Sequence, residues 1–290
     1  MPAWRLADRT LEPTPAAPLG VAIVNVTDDS MFEAARSGTP ERAVADGSAL
    51  VEAGFDLVDV GAVPARSGPR VGAEDEAAKL IPAVRGLRAS LPVPVSADTF
   101  TPEVARLALA AGAHVINDIG GGGDEMLAVV AEAGCGYVLM HIEGPPRRNR
   151  PAPAYADVVA RLAEFFVARI ERAGELGVAA EAIAIDPGLD FDLSTDHALE
   201  ILGTGLPTLR ELGRPIFMSL SRKDFVGALL AGSWERRRDP GERGPGTFAA
   251  AALAAVAGAE IHRLHDVEGL DAVRVAGAIA HGSRVGASGG

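Results

Sequence analysis

A chain of 290 residues with 48% hydrophobic and 23% charged residues has globular proportions and enough apolar content for a sizeable core. The formal net charge of −12 argues against nucleic acid or an anionic membrane as the main partner, and a single cysteine, Cys135, excludes an intrachain disulfide. The N-terminal residues hold no apolar leader-like stretch and the small-apolar run 248–259 is too short to span a bilayer, so a cytoplasmic protein is expected.

Residues 1–19, punctuated by four prolines, read as an N-terminal extension. The apolar run 21–26 then has buried-strand character and ends at Thr27-Asp28-Asp29-Ser30. A helical pattern over 40–53 follows, with Thr39 as candidate N-cap and Gly54 as its stop. The same cycle repeats. Strands over 57–60, 93–97, 114–116, 137–140, 182–185, 216–220 and 260–264 alternate with helices over 73–89, 102–111, 125–133, 155–176, 197–212, from 225, and 270–280. A further helix, 247–257, lies between the last two strands, and the Gly-rich tail 282–290 is expected to be disordered.

Eight strand–helix units without a domain-sized linker imply one parallel α/β domain over 20–281, closed as a (β/α)8 barrel. An open doubly wound sheet is the alternative, but no Gly-x-Gly-x-x-Gly turn follows the first strand.

In such a barrel the C-terminal strand ends form the active face. Asn25, Asp59, Asp98, Asn117, Asp118, Met140-His141, Asp186, Ser221, Lys223, Arg263 and His265 all fall there. Taken singly, Asp and Asn after strands are common caps and turn formers. A ring of caps would not also need Lys, Arg and His. Lys223 stands out because the chain writes nearly all its other positive charge as arginine.

Asp98, Asn117 and Asp186 suit the adjacent N–H donors of a planar heterocycle. Lys223, Arg263 and His265, with Arg66 on a neighbouring loop, suit an anion. Asn25 offers a hard metal one neutral oxygen among waters and substrate phosphates. No Gly-x-Ser-x-Gly elbow or His/Cys cluster supports a nucleophilic triad or a zinc site.

The ordered set Asn25-Val26-Thr27-x-Asp29-Ser30, Asp59-Val60-Gly61, Asp98-Thr99, Ile116-Asn117-Asp118, Met140-His141, Asp186-Pro187-Gly188, Ser221-Arg222-Lys223 and Arg263-x-His265-Asp266 resembles the dihydropteroate synthase family. The resemblance runs from about Val21 to Ala280. It implies a homodimeric TIM barrel that joins p-aminobenzoate to a pyrophosphorylated hydroxymethyl-dihydropterin in folate synthesis, with Mg2+. By that resemblance Asp98, Asn117, Met140, Asp186 and Lys223 hold the pterin. Asn25, Arg66, Ser221, Arg263 and His265 serve the pyrophosphate and amine side, Asn25 at the metal, with Lys223, Arg263 and His265 as the catalytic set.

Departures from the family pattern cluster in three loops. Asp28, Met31, Glu33, Ala34 and Ala35 alter the first loop, and Ala62-Val63-Pro64-Ala65-Arg66-Ser67-Gly68 keeps only Arg66 and Gly68 of the second. After Asp186-Pro187-Gly188, two aspartates, Asp190 and Asp192, stand where the family pattern has glycines. These changes leave room for a paralogue that binds a pterin without making dihydropteroate, or for a non-catalytic binding protein. A pterin-dependent methyltransferase with a corrinoid partner shares the barrel, but has no need of Ser221-Arg222-Lys223 beside Arg263-x-His265. The resemblance implies that the first two loops fold over the arylamine and pyrophosphate, so rewriting them predicts weakened affinity for p-aminobenzoate; steady-state kinetics giving a Michaelis constant typical of the family would contradict this.

Overall fold

The computed structural model describes residues 3–27, 37–65, 68, 70–147 and 154–282. The altered positions 28–35, Arg66, Ser67 and the tail 283–290 lie outside the described residues.

An antiparallel hairpin, β1 (Trp4–Arg5) and β2 (Thr10–Leu11), precedes eight parallel strands. These are β3 (Leu19–Asn25), β4 (Leu57–Gly61), β5 (Val95–Asp98), β6 (Val115–Asp118), β7 (Gly136–Met140), β8 (Ile183–Asp186), β9 (Phe217–Ser219) and β10 (Ile261–Leu264). Their spatial order is β8-β7-β6-β5-β4-β3-β10-β9. A parallel bridge between Ile185 and Ile216 joins the two ends, closing the barrel. The open-sheet alternative is thereby excluded.

The outer layer comprises α1 (Pro40–Glu52), α2 (Ala73–Ser90), α3 (Pro102–Ala110), α4 (Asp124–Ala133), α5 (Val158–Glu175), α6 (Thr195–Glu200), α7 (Leu206–Arg210), α8 (Asp224–Ala231), α9 (Gly244–Val256) and α10 (Val267–His281). Thr39 caps α1 by accepting from the Arg42 amide at 3.2 Å. α5 starts later than its pattern suggests because Asp157 caps it, at 2.8 Å from the Ala160 amide. The single helix expected over 197–212 is instead α6 and α7 joined by a π-helical turn, Ile201–Gly205. Pro207 has no N–H to complete an α-helical ladder there. Gly205 also lets the turn approach Val159 of α5, where a Cβ would come within 2.7 Å of a methyl group. Among the described residues no helix is long and apolar enough to cross a membrane.

Two cores follow from the alternation of side chains along each strand. Outward residues such as Ala22, Val24, Val58, Val60, Ile116, Leu139, Ile185 and Met218 pack under the helices. Inward residues at the N-terminal end, Val21, Leu57, Val115, Val138, Ala184, Phe217 and Ile261, form a separate cluster with Trp4 and Leu6. The segment read as an extension therefore stoppers the barrel. Trp4 is fully buried, and its indole N–H donates to the Ala182 carbonyl at 2.9 Å.

Trp4→Ala is expected to lower unfolding free energy by about 3–5 kcal/mol, and Trp4→Phe, which removes the hydrogen bond and part of the ring, by about 1–2 kcal/mol. Denaturant titration checks both; a negligible loss in Trp4→Ala would show that the stopper is dispensable.

Candidate active site at the barrel mouth

Counting by two from the inward apolar layer toward the strand ends brings the same face to Asn25, Asp59, Asn117, Met140, Asp186 and Arg263. The inside of the barrel is thus apolar below and polar above. Its centre is Arg263. The guanidinium donates from Nε to Asp59 Oδ2 at 2.6 Å and from Nη2 to Asp98 Oδ2 at 2.8 Å. Asn117 Nδ2 donates to the same Asp59 oxygen at 3.0 Å. Since a carboxylate only accepts, this contact orients the amide with Asn117 Oδ1 as the free-facing acceptor.

Strands β4, β5, β6 and β10 are joined by these bonds. Asp59, which is fully buried, was among the strand-end polar residues but carried no assigned role; the two-residue period from inward Leu57 would have placed it. Burial raises the pKa of Asp98, with Asp59 adding to the rise and Arg263 opposing it. Thr99 turns the other way, donating to Glu76 of α2 at 2.5 Å and so anchoring the strand end.

Asp186 is buried and accepts from the Gly188 amide at 2.8 Å. Desolvation pushes its pKa up to about 6, against the pull of that amide, Lys223 and Arg263. Gly188, at φ 74°, packs against the His141 carbonyl so closely that a side chain has no room. The Lys223 ammonium lies over the Phe191 ring, 4.6 Å from its centroid. Met140, buried with Ile119 and Ile142 against Phe100 and Phe191, supplies an apolar side to the mouth.

Ser221 and His265 meet at 2.7 Å through Oγ and Nδ1. The sequence set His265 beside Lys223 and Arg263 as a group suited to an anion. Its pKa is held down to about 3, first by burial and then by Arg263, Arg222 and Lys223, leaving a neutral imidazole at pH 7. It serves the site as a hydrogen-bonding ring whose proton affinity an arriving anion would raise.

Three further sequence readings are revised. Arg222, at φ 56°, points away from the site: it grips Asp266 through two nitrogens, at 3.2 and 2.7 Å, and donates to the Pro240 and Gly241 carbonyls. Asp118 faces outward by the strand alternation, taking Tyr137 Oη at 2.6 Å and the amides of Gly120 and Gly122. It shapes the glycine loop. His141 also faces outward, 3.3 Å from Glu143 and edge-on to Phe165. Arg66 lies outside the described residues.

Among the described residues no group of three or more His, Cys, Asp or Glu is arranged to hold a metal ion. The oxygen donor at the end of β3 is Asn25, a neutral amide on the rim. That chemistry fits a hard cation completed by a polyphosphate and water, and does not fit a resident transition metal.

A family profile described as "Pterin binding enzyme" matches residues 21–265, from within β3 to just past the end of β10, and takes in Asn25, Asp59, Asp98, Asn117, Met140, Asp186, Ser221, Lys223, Arg263 and His265. The chain belongs to this family. Dihydropteroate synthase of Mycobacterium leprae is 40% identical over 270 residues, covering 90% of this chain and 93% of the relative. An "inactive dihydropteroate synthase 2" of the same organism is 39% identical over 254 residues, covering 85% of this chain and 85% of that protein. Among solved structures, Xanthomonas albilineans dihydropteroate synthase with 4-aminobenzoic acid superposes with a TM-score of 0.85 at 40% identity, covering 97% of this chain and 99% of the other.

Asp186→Asn tests the desolvated carboxylate. A folded-state pKa raised from 3.8 to about 6 makes ionised Asp186 a cost fully present above pH 6 and absent below 3.8. The substitution should therefore raise unfolding free energy at pH 8 by up to about 3 kcal/mol, a gain fading to nothing near pH 3. Urea titrations across that range check it; no gain at pH 8 would mean the carboxylate is effectively solvated.

Proposed function

We propose that the chain is a dihydropteroate synthase, condensing 6-hydroxymethyl-7,8-dihydropterin pyrophosphate with p-aminobenzoate. The observation that carries this reading is one mouth holding two unlike sets side by side. Asp98, Asn117 and Asp186 present acceptors, and Lys223, Arg263, Ser221 and His265 present donors.

In this reading the carboxylates of Asp98 and Asp186 and the Asn117 oxygen accept from the N–H edge of the pterin, whose face rests on Met140. Ionised carboxylates beside the ring favour the positive charge that develops on the methylene as its C–O bond breaks. The departing electron pair stays on the pyrophosphate oxygen. Arg263 Nη1, which neither carboxylate engages, and the Ser221–His265 pair are the donors placed to meet it. The arylamine nitrogen then forms the C–N bond and loses a proton, with no covalent enzyme intermediate.

Mg2+, when bound at Asn25 with the pyrophosphate, supplies further charge neutralisation of the leaving group. Asn25 and the arriving phosphates are the oxygen donors that would hold it. A homodimer belongs to the same proposal. Leu253 and Val256 of α9 and Val275 and Ile279 of α10 leave apolar side chains exposed, so these helices are core on one face only. A reducing cytoplasm suits the single buried cysteine.

The inactive relative keeps open the reading in which a pterin is held without turnover. Pyrophosphate release from purified protein given the pterin pyrophosphate, Mg2+ and p-aminobenzoate separates the two. Release that requires the arylamine, with Lys223→Ala reducing kcat/KM by about 100-fold or more, is expected. Pterin binding with no release would assign the chain to the non-synthesising branch.

A further inference from the structure

Asp190 and Asp192 hold left-handed backbone, at φ 67° and 55°, where glycine is the easy residue. Both carboxylates are engaged by backbone amides. Asp192 Oδ2 accepts from the Glu143 amide at 2.9 Å, tying the loop after β8 to the loop after β7. Asp190 reaches the opposite way, to the N-terminus of α8. Its Oδ1 accepts from the Phe225 amide at 3.2 Å, and its Oδ2 accepts from the Asp224 amide in a shorter bond. Phe191, between the two, is the residue whose ring lies under the Lys223 ammonium.

The reason for this arrangement lies in Lys223 itself, which is the N-cap residue of α8. An ammonium has no acceptor, so Lys223 cannot satisfy the amides that a Ser, Thr, Asn or Asp at that position would. It also brings positive charge to the positive end of the helix dipole. Using a lysine there creates a double deficit: unmet amides and unfavourable charge. A carboxylate arriving from another loop corrects both. Asp190 is that carboxylate, and a left-handed backbone aims it.

We propose that Asp190 is a positioning residue for Lys223, capping α8 in place of its N-cap side chain and setting the ammonium over Phe191 at the mouth. This rests on the reading that Lys223 holds the pterin.

The test is binding of 6-hydroxymethylpterin, by fluorescence titration, to the wild type and to Asp190→Gly, Asp190→Asn, Lys223→Ala and the Asp190→Gly/Lys223→Ala double variant. Glycine keeps the backbone unstrained and removes the cap, whereas asparagine tolerates the same backbone and keeps an acceptor. Asp190→Gly is expected to weaken binding about fivefold, the size of a lost helix cap, and Asp190→Asn less than about twofold. In the Lys223→Ala background the glycine substitution should cost nothing further. Equal losses in both backgrounds, or unchanged binding in Asp190→Gly, would overturn the inference while leaving the functional reading in place. Unchanged binding in Lys223→Ala would overturn the functional reading and the inference with it.

Discussion

The mouth of this barrel is organised by one partly buried cation between two carboxylates. Arg263, from the last strand, reaches Asp59 and Asp98 on neighbouring strands, and Asn117 shares the Asp59 oxygen. Such a cluster is kept for geometry more than for stability, because desolvation offsets much of the Coulomb attraction. What it does enforce is mutual dependence. Removing Arg263 would leave two carboxylates facing each other without their cation, at a cost of about 3–5 kcal/mol. Four strand ends are therefore held in one arrangement before any ligand arrives, which is the condition for donors and acceptors to act without reorganising.

Around that centre, residues adjacent in sequence do separate work. In Ser221-Arg222-Lys223 the hydroxyl meets His265, the guanidinium holds Asp266 and the carbonyls of the loop before α9, and the ammonium lies over Phe191. Arg243 completes the scaffold by donating to the Arg222 carbonyl and to Asp224. The left-handed backbone at Arg222 splits the motif, sending one side chain into the framework and its neighbours to the rim. The loop after β8 has the same character, with Asp190 and Asp192 pulling in opposite directions on the segment that carries Phe191.

Several groups at the mouth are held away from their solution protonation behaviour. Asp98 and Asp186 bind protons more tightly than exposed carboxylates, and His265 binds one less tightly than a free imidazole. The common cause is burial, which disfavours the charged form of each group. A ligand with N–H donors on one side and anionic oxygens on the other would favour the charged form of each.

Strand and helix positions, the eightfold repeat and the identity of most mouth residues were legible in the sequence. All of these are local: an apolar run ending in a polar cluster, a cap, a glycine stop. The period of two was equally present and would have separated inward Asp59 and Asn117 from outward Asp118 and His141. Only tertiary structure decided which partners met. That Trp4 would stopper the far end, that Arg263 would bridge Asp59 and Asp98 across more than 160 residues of chain, and that Asp190 would cap a helix from another unit are contacts between distant segments. A carboxylate in a sequence can cap, pair or bind. Which of these it does depends on the closure of the barrel, because closure determines which amide or guanidinium lies within 3 Å.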